Sequence, residues 1–138
     1  MFKQIMAPVD LAHVDGLARA LACAADLARH YGVPVTYVGV TSTVPSKLAH
    51  TPAEFEARLR GFAQAEADKN GIEATAHMAI AHDPATEIDD ALLRAVDETG
   101  ADLVVMASHV PRVMDHFWPS NGGKLAEHAQ CSVMVVRS

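Results

Sequence analysis

A stretch suited to holding a phosphate group runs from Leu103 to Asn121. An apolar run opens it, small and polar residues follow at Ala107 and His109, and an irregular segment then leads to Ser120. Ser and Asn are favoured at helix N-caps, and the first N–H groups of a helix are unpaired and carry the positive end of its dipole. A capped helix after a strand explains the same residues without a ligand, and the stretch alone favours this simpler interpretation.

The carboxylate of Asp10 is also suited to ligand binding. Asp10 directly follows the first predicted strand, in the sequence APVD. There it either caps the next helix, as Asp commonly does, or accepts hydrogen bonds from a ligand. Because Leu11 and Ala12 delay the start of the helix, we favour the ligand-binding role.

The remaining reactive side chains form no catalytic or metal-binding pattern. His109 and His116 lie across an irregular segment with a spacing that matches no known ligand set. The GGK sequence at Gly122 lacks the spacer and the following hydroxyl residue of a phosphate-binding Walker motif. No Ser-His-Asp or Cys-His set is supported, so the sequence predicts no catalytic residues and no metal ligands.

The composition indicates one globular domain over residues 1–138. Half of the residues are hydrophobic and a fifth are charged, which is usual for such a domain, and the length is too short for two ordinary ones. The net charge is −6 and no basic cluster offsets it. We therefore expect no nucleic acid partner, because phosphate backbones require concentrated Lys and Arg.

The sequence also lacks the signals of membrane insertion or export. No apolar run approaches the roughly 20 residues of a membrane helix, and the N-terminal residues show no signal-peptide pattern. The two cysteines, Cys23 and Cys131, lie in apolar surroundings. These features predict a cytoplasmic protein with unreactive thiols and no direct membrane insertion.

Strand and helix patterns alternate along the chain. Apolar and β-branched runs predict strands, and apolar residues at helical spacing predict helices. The predicted strands are 2–9, 34–40, 72–80, 102–107 and 132–137, and the predicted helices are about 13–30, 51–70, 83–99 and 120–130. The alternation predicts an α/β fold with a mostly parallel sheet and helices on both faces. Ligands bind such sheets outside the carboxyl ends of the strands, where the strand order reverses.

The chain resembles the universal stress protein family over nearly its whole length. The resemblance rests on MAPVD at the first strand, GADLVVMASH at the fourth, and SN with HAQCSVMVVR towards the end. It implies a single-domain, open, Rossmann-like parallel sheet of five strands in the order 3-2-1-4-5, as in adenine nucleotide alpha hydrolase-like proteins. It also implies ATP or AMP as ligand, with or without Mg²⁺, although some family members bind no nucleotide.

The resemblance carries a set of nucleotide-binding residues onto this chain. The family pattern is G-x-x-G, a spacer, and then G-(S/T), and this chain departs from it. Ala107 and Val110 replace the first two glycines, and Pro119 removes an N–H donor. The implied site consists of Pro8, Val9, Asp10, Val40, Met106, Ala107, His109, Val110, Pro119, Ser120 and Asn121.

The resemblance further implies a regulatory protein with little or no catalysis, at most a slow ATPase. It implies a homodimer formed through the C-terminal strand, with a tetramer as a larger assembly. The alternatives are a dimeric interaction module that binds no nucleotide and a regulatory partner of a membrane transporter.

Overall fold

The computed structural model describes residues 1–108 and 121–137, apart from the side chains at positions 84, 85, 121 and 122. Five strands and four α-helices alternate in these residues, with a short 3₁₀ helix, Val14–Leu17, before α1. The strands are β1 Ile5–Pro8, β2 Val35–Thr41, β3 Ala74–Ile80, β4 Leu103–Ala107 and β5 Ser132–Val136. The α-helices are α1 Ala18–Tyr31, α2 Pro52–Asn70, α3 Pro84–Thr99 and α4 Asn121–His128.

The strands form one parallel sheet in the order β3-β2-β1-β4-β5. This order and the predicted α/β class are therefore confirmed. Helices α1 and α2 pack on one face, over alternate strand residues such as Ile5 and Tyr37. Helices α3 and α4 pack on the other face, over Met6 and Val38. The alternation of side chains along each strand assigns neighbouring residues to opposite cores.

Local sequence signals fix the ends of α2. The Thr51 hydroxyl accepts a hydrogen bond from the Glu54 N–H at 3.2 Å, so Thr51 is the N-cap of α2. The Glu54 carboxylate accepts a hydrogen bond from the His50 N–H at 2.7 Å. In a standard capping box the donor would be the N–H of the N-cap residue itself, Thr51. Gly71 ends the helix with a left-handed φ of 64°, which glycine adopts without steric cost.

Two elements begin three or more residues later than predicted. The first strand starts at Ile5 instead of Phe2, because the Lys3 and Gln4 N–H groups donate to the Asp102 carboxylate at 2.9–3.1 Å. The α-helical part of the first helix starts at Ala18, after the 3₁₀ turn. The N–H of Gly16 donates to the His13 carbonyl at 3.3 Å, which is the tighter hydrogen-bonding pattern of a 3₁₀ helix.

A buried tyrosine in the core has no described partner for its hydroxyl group. Tyr37 is fully buried, and its ring meets that of Phe62 edge to face at 5.3 Å. Among the described residues its hydroxyl makes no hydrogen bond. Burial, and to a lesser extent the negative Glu66, raise the pKa of Tyr37, so the group stays neutral.

Replacing Tyr37 by phenylalanine is therefore expected to leave stability unchanged or to raise it. An unpaired buried hydroxyl costs about 1–3 kcal/mol of desolvation, and the substitution removes that cost while keeping the ring. Urea unfolding of the two proteins measures the difference. A loss of more than about 1 kcal/mol would show that the hydroxyl has a partner, such as a buried water.

Candidate functional site

The sheet opens between β1 and β4 at its carboxyl edge. The β1–β4 ladder consists of Ile5 with Leu103 and Met6 with Val104, whereas β1 pairs with β2 as far as Pro8. The Ile5 and Val9 N–H groups donate to carbonyls on the β2 side, so the amide position of Pro8 faces β4. Proline has no N–H to donate there. The pairing of β1 with β4 thus ends before its pairing with β2, at the point where the strand order reverses and where parallel sheets bind ligands.

A cavity of about 220 Å³ lies beside this point, at the carboxyl ends of β1 and β2. Most of its wall is apolar, and its polar groups come from Asp10, from Thr41 at the end of β2 and from the chain that follows. The lining residues are Val9, Asp10, Leu11, Ala12, Val40, Thr41, Ser42, Val44, Ser46, Lys47, Leu48, Phe55 and Ile88. An apolar cavity with a few polar groups is the usual form of a small-molecule site.

Asp10 is held in a fixed orientation at the mouth of this cavity. Its Oδ1 accepts a hydrogen bond from the Ala12 N–H at 3.0 Å, and its Oδ2 lies 3.0 Å from Nδ1 of His13. The side chain is 12% exposed, against 41% for His13. A carboxylate has about four lone-pair positions, so these two contacts leave acceptor capacity for a ligand.

The outer wall of the cavity is a loop that hydrogen bonds to itself. The Ser46 hydroxyl accepts from the Leu48 N–H at 3.2 Å and from the Ala49 N–H at 3.3 Å. The Ser46 N–H in turn donates to the Ala49 carbonyl at 2.9 Å. This turn contains Lys47, which is the only cationic side chain among the described residues that line the cavity.

The structure brings three of the predicted site residues together: Val9, Asp10 and Val40 line the cavity. Three others do not line it. Pro8 is buried at the end of β1, Met106 is buried against α3 and α4, and Ala107 is packed in the α1–α2 core.

The predicted phosphate-binding segment falls largely outside the described residues. His109, Val110, Pro119 and Ser120 lie there, and of Asn121 only its place at the start of α4 is described.

Several lining residues have no clear signal in the sequence. Ser42, Ser46 and Lys47 belong to the polar connection after β2, which is marked only by its composition and Pro45. Phe55 is an apolar residue at helical spacing and is buried on α2, but it also lines the cavity.

Other reactive groups in the described residues lie away from the cavity. Burial, and then the negative Asp102 and Asp97, raise the pKa of the Cys131 thiol and so keep it protonated. Within residues 1–108 and 121–137, no group of three or more His, Cys, Asp or Glu side chains is arranged to hold a metal ion. In the same residues no helix is long and apolar enough to cross a membrane.

The parallel sheet with a cavity at its carboxyl edge places the chain among the doubly wound α/β proteins. Within this class, the universal stress protein family matches residues 1–137, and the chain belongs to that family. The resemblance seen in the sequence is thereby confirmed. Universal stress protein G of Shigella flexneri is 28% identical over 99% of this chain and 100% of its own length.

Solved structures show the same fold. A universal stress protein in complex with cAMP superposes with a TM-score of 0.70 at 18% identity, covering 98% of this chain and 97% of that one. The Archaeoglobus fulgidus universal stress protein in complex with dAMP gives 0.66 at 22% identity, covering 96% of each chain. At these identities the likeness establishes the fold alone.

Proposed function

We propose that this protein binds an adenine nucleotide, ATP or AMP, at the carboxyl edge of its sheet and acts as a regulatory protein. The observation that carries the proposal is the cavity bordered by Asp10 and Val40, at the carboxyl ends of β1 and β2 and beside the switch point where doubly wound sheets bind ligands. The two solved relatives described as complexes with cAMP and dAMP support adenine as the base.

The chemistry of the cavity suits a purine base. Adenine has two flat apolar faces, and side chains such as Val9, Leu48 and Ile88 provide apolar walls. Its rim carries N–H donors and ring-nitrogen acceptors, for which the Asp10 carboxylate and the main chain at Val40 are available partners. Apolar walls with a few fixed polar groups give both affinity and orientation.

The phosphates would extend towards the start of α4. The N–H groups of its first turn, from Asn121 onward, favour negative charge. Lys124 lies in that turn, and its Nζ is 3.5 Å from Oδ2 of Asp89 on α3. A triphosphate would bring its own Mg²⁺, whereas AMP needs no metal ion.

Calorimetric titration with ATP, ADP and AMP tests the proposal. Bound nucleotide should also stabilise the fold by mass action, by about 2.7 kcal/mol when the free ligand is at 100 times its dissociation constant. If millimolar nucleotide produces neither heat nor a thermal shift, the proposal fails and the second function below is favoured.

We further propose that nucleotide turnover is slow or absent. Catalysis of phosphoryl transfer needs a positioned base or metal ligands close to the phosphates. In the described residues, Asp10 is the only carboxylate that lines the cavity, and it is engaged with Ala12 and His13. Steady phosphate release at rates typical of enzymes would contradict this part of the proposal.

The second candidate function is a dimeric interaction module that acts without nucleotide. Strand β5 is an edge of the sheet, and its side chains Met134 and Val135 are 40% and 41% exposed. An apolar edge strand presents unpaired backbone groups and is a template for pairing with another chain. In either function, we propose that this edge forms the homodimer, on which a tetramer could be built.

Placing a charge on this edge is expected to weaken the dimer. A lysine at Val135 would put a strongly hydrated ammonium group among apolar side chains, so Val135→Lys should shift the protein towards monomer at micromolar concentration. Sedimentation velocity measures the shift. The matched control is Ile80→Lys, because Ile80 is 42% exposed on the opposite edge strand. A parent that is monomeric, or equal effects of both substitutions, would contradict dimerisation through β5.

A further inference from the structure

Gly39 lies directly behind Phe55, one of the residues that line the cavity. Gly39 is buried on β2, and Phe55 lies in the first turn of α2 with 4% of its surface exposed. A Cβ atom built on Gly39 would lie 2.8 Å from Cε1 and Cζ of the Phe55 ring and 3.3 Å from Cδ1 of Leu59. The ring therefore rests directly on the β2 backbone, in the space that any other side chain would occupy.

Glycine is not required at this position by the backbone. Among the described residues, positive φ values are confined to Gly32, Gly71 and Gly100. Residue 39 lies within an ordinary parallel strand, paired with Met78, where glycine is usually unfavourable because it has no side chain to pack. Gly39 instead allows the Phe55 ring to lie close to the backbone of β2, because it has no Cβ atom in the way.

The position of that ring sets the depth of the cavity, because Phe55 is one of its lining residues. Leu59 also crowds the Gly39 side of the ring, and the neighbouring core is closely packed, as protein interiors are. A ring displaced from β2 would therefore move towards the cavity, which it lines. A side chain at residue 39 would thus shorten the cavity from within.

We infer that Gly39 and Phe55 are specificity-determining residues, which make the cavity deep enough for a bicyclic purine base in preference to a pyrimidine. This inference rests on the proposed nucleotide site. On this inference, the contact between Gly39 on β2 and Phe55 on α2 determines which size of base fits the cavity. The predicted phosphate-binding segment has no part in that choice.

Titration of the parent and its variants with AMP and CMP tests the inference. The parent should prefer AMP. In Gly39→Ala the affinity for AMP should fall by about tenfold, as for one misplaced methyl group in an apolar pocket, while that for CMP changes less. The double variant Gly39→Ala/Phe55→Leu should recover most of the AMP affinity, because leucine lacks the ring atoms that meet the new Cβ.

The matched control is Gly61→Ala, at an exposed glycine of α2 with no neighbour within 4 Å. This variant should bind both nucleotides like the parent.

Unchanged AMP affinity in Gly39→Ala, or equal losses for AMP and CMP, would overturn the inference. If Gly39→Ala does not fold, Phe55→Trp alone decides, because a larger ring has no room towards Gly39 and must extend into the cavity. A reduced preference for AMP then supports the inference, and an unchanged preference overturns it. These results differ from failure of the proposed function, in which the parent itself binds neither nucleotide and both proposals fall.

Discussion

Asp10→Ala is expected to weaken adenine nucleotide binding by about 1.5–3 kcal/mol, the contribution of a hydrogen bond to a charged group. This corresponds to roughly a 10- to 150-fold rise in the dissociation constant. The Asp10 carboxylate borders the cavity, is only 12% exposed, and is already oriented by Ala12 and His13. A ligand would therefore meet a fixed acceptor.

Two further variants separate the roles of Asp10. Asp10→Asn keeps an oxygen that can accept from the Ala12 N–H, so it should retain the local turn and lose affinity mainly through the missing charge. Asp15→Ala removes an exposed carboxylate from the neighbouring 3₁₀ turn, outside the cavity lining, and should bind like the parent. Calorimetry gives the affinities, and thermal unfolding shows whether the fold is intact. Unchanged affinity in Asp10→Ala would remove Asp10 from the site.

Leu92→Ala is expected to lower the free energy of unfolding by about 2–5 kcal/mol, the range observed for truncation of buried leucines. This is the largest loss of stability expected for any substitution proposed for this protein. Leu92 is fully buried on α3, in the core formed with Met6, Val38 and Val104 of the sheet. Interiors are closely packed, so the deleted methyl groups leave a cavity that the neighbours only partly fill.

The matched control is Leu93→Ala, one residue further along α3 at a half-buried position. It makes the same chemical change in the same helix and should cost clearly less. Urea unfolding gives both free energies of unfolding. Equal losses at the two positions would mean that the packing of α3 against the sheet differs from that described.

The fold was predictable because local signals and global packing agree. The alternation of strand and helix patterns gave the parallel sheet, and the family resemblance gave its strand order, as observed. Thr51, Pro52 and Glu54 marked the start of α2, where Thr51 is the observed cap. The late start of β1 was not predictable, because it depends on Asp102, which is about a hundred residues away in the chain.

The site was only partly predictable. Asp10 and Val40 could be placed at strand ends from the apolar runs before them, and both line the cavity. The loop that contains Ser46 and Lys47 folds over the cavity through its own hydrogen bonds, which leave no periodic pattern in the sequence. Phe55 was recognisable as a core residue, but its role at the cavity depends on its contact with Gly39 in a different element.

The central claim, adenine nucleotide at the carboxyl ends of β1 and β2, is tested most directly by amide NMR of the isotopically labelled protein during titration with AMP. We expect saturable shifts concentrated at Asp10, Val40 and Thr41. The amides of Glu66 and Lys69, which border a separate cleft between α1 and α2, should remain unchanged. The absence of any shift at millimolar AMP, or shifts centred on that second cleft, would contradict the claim.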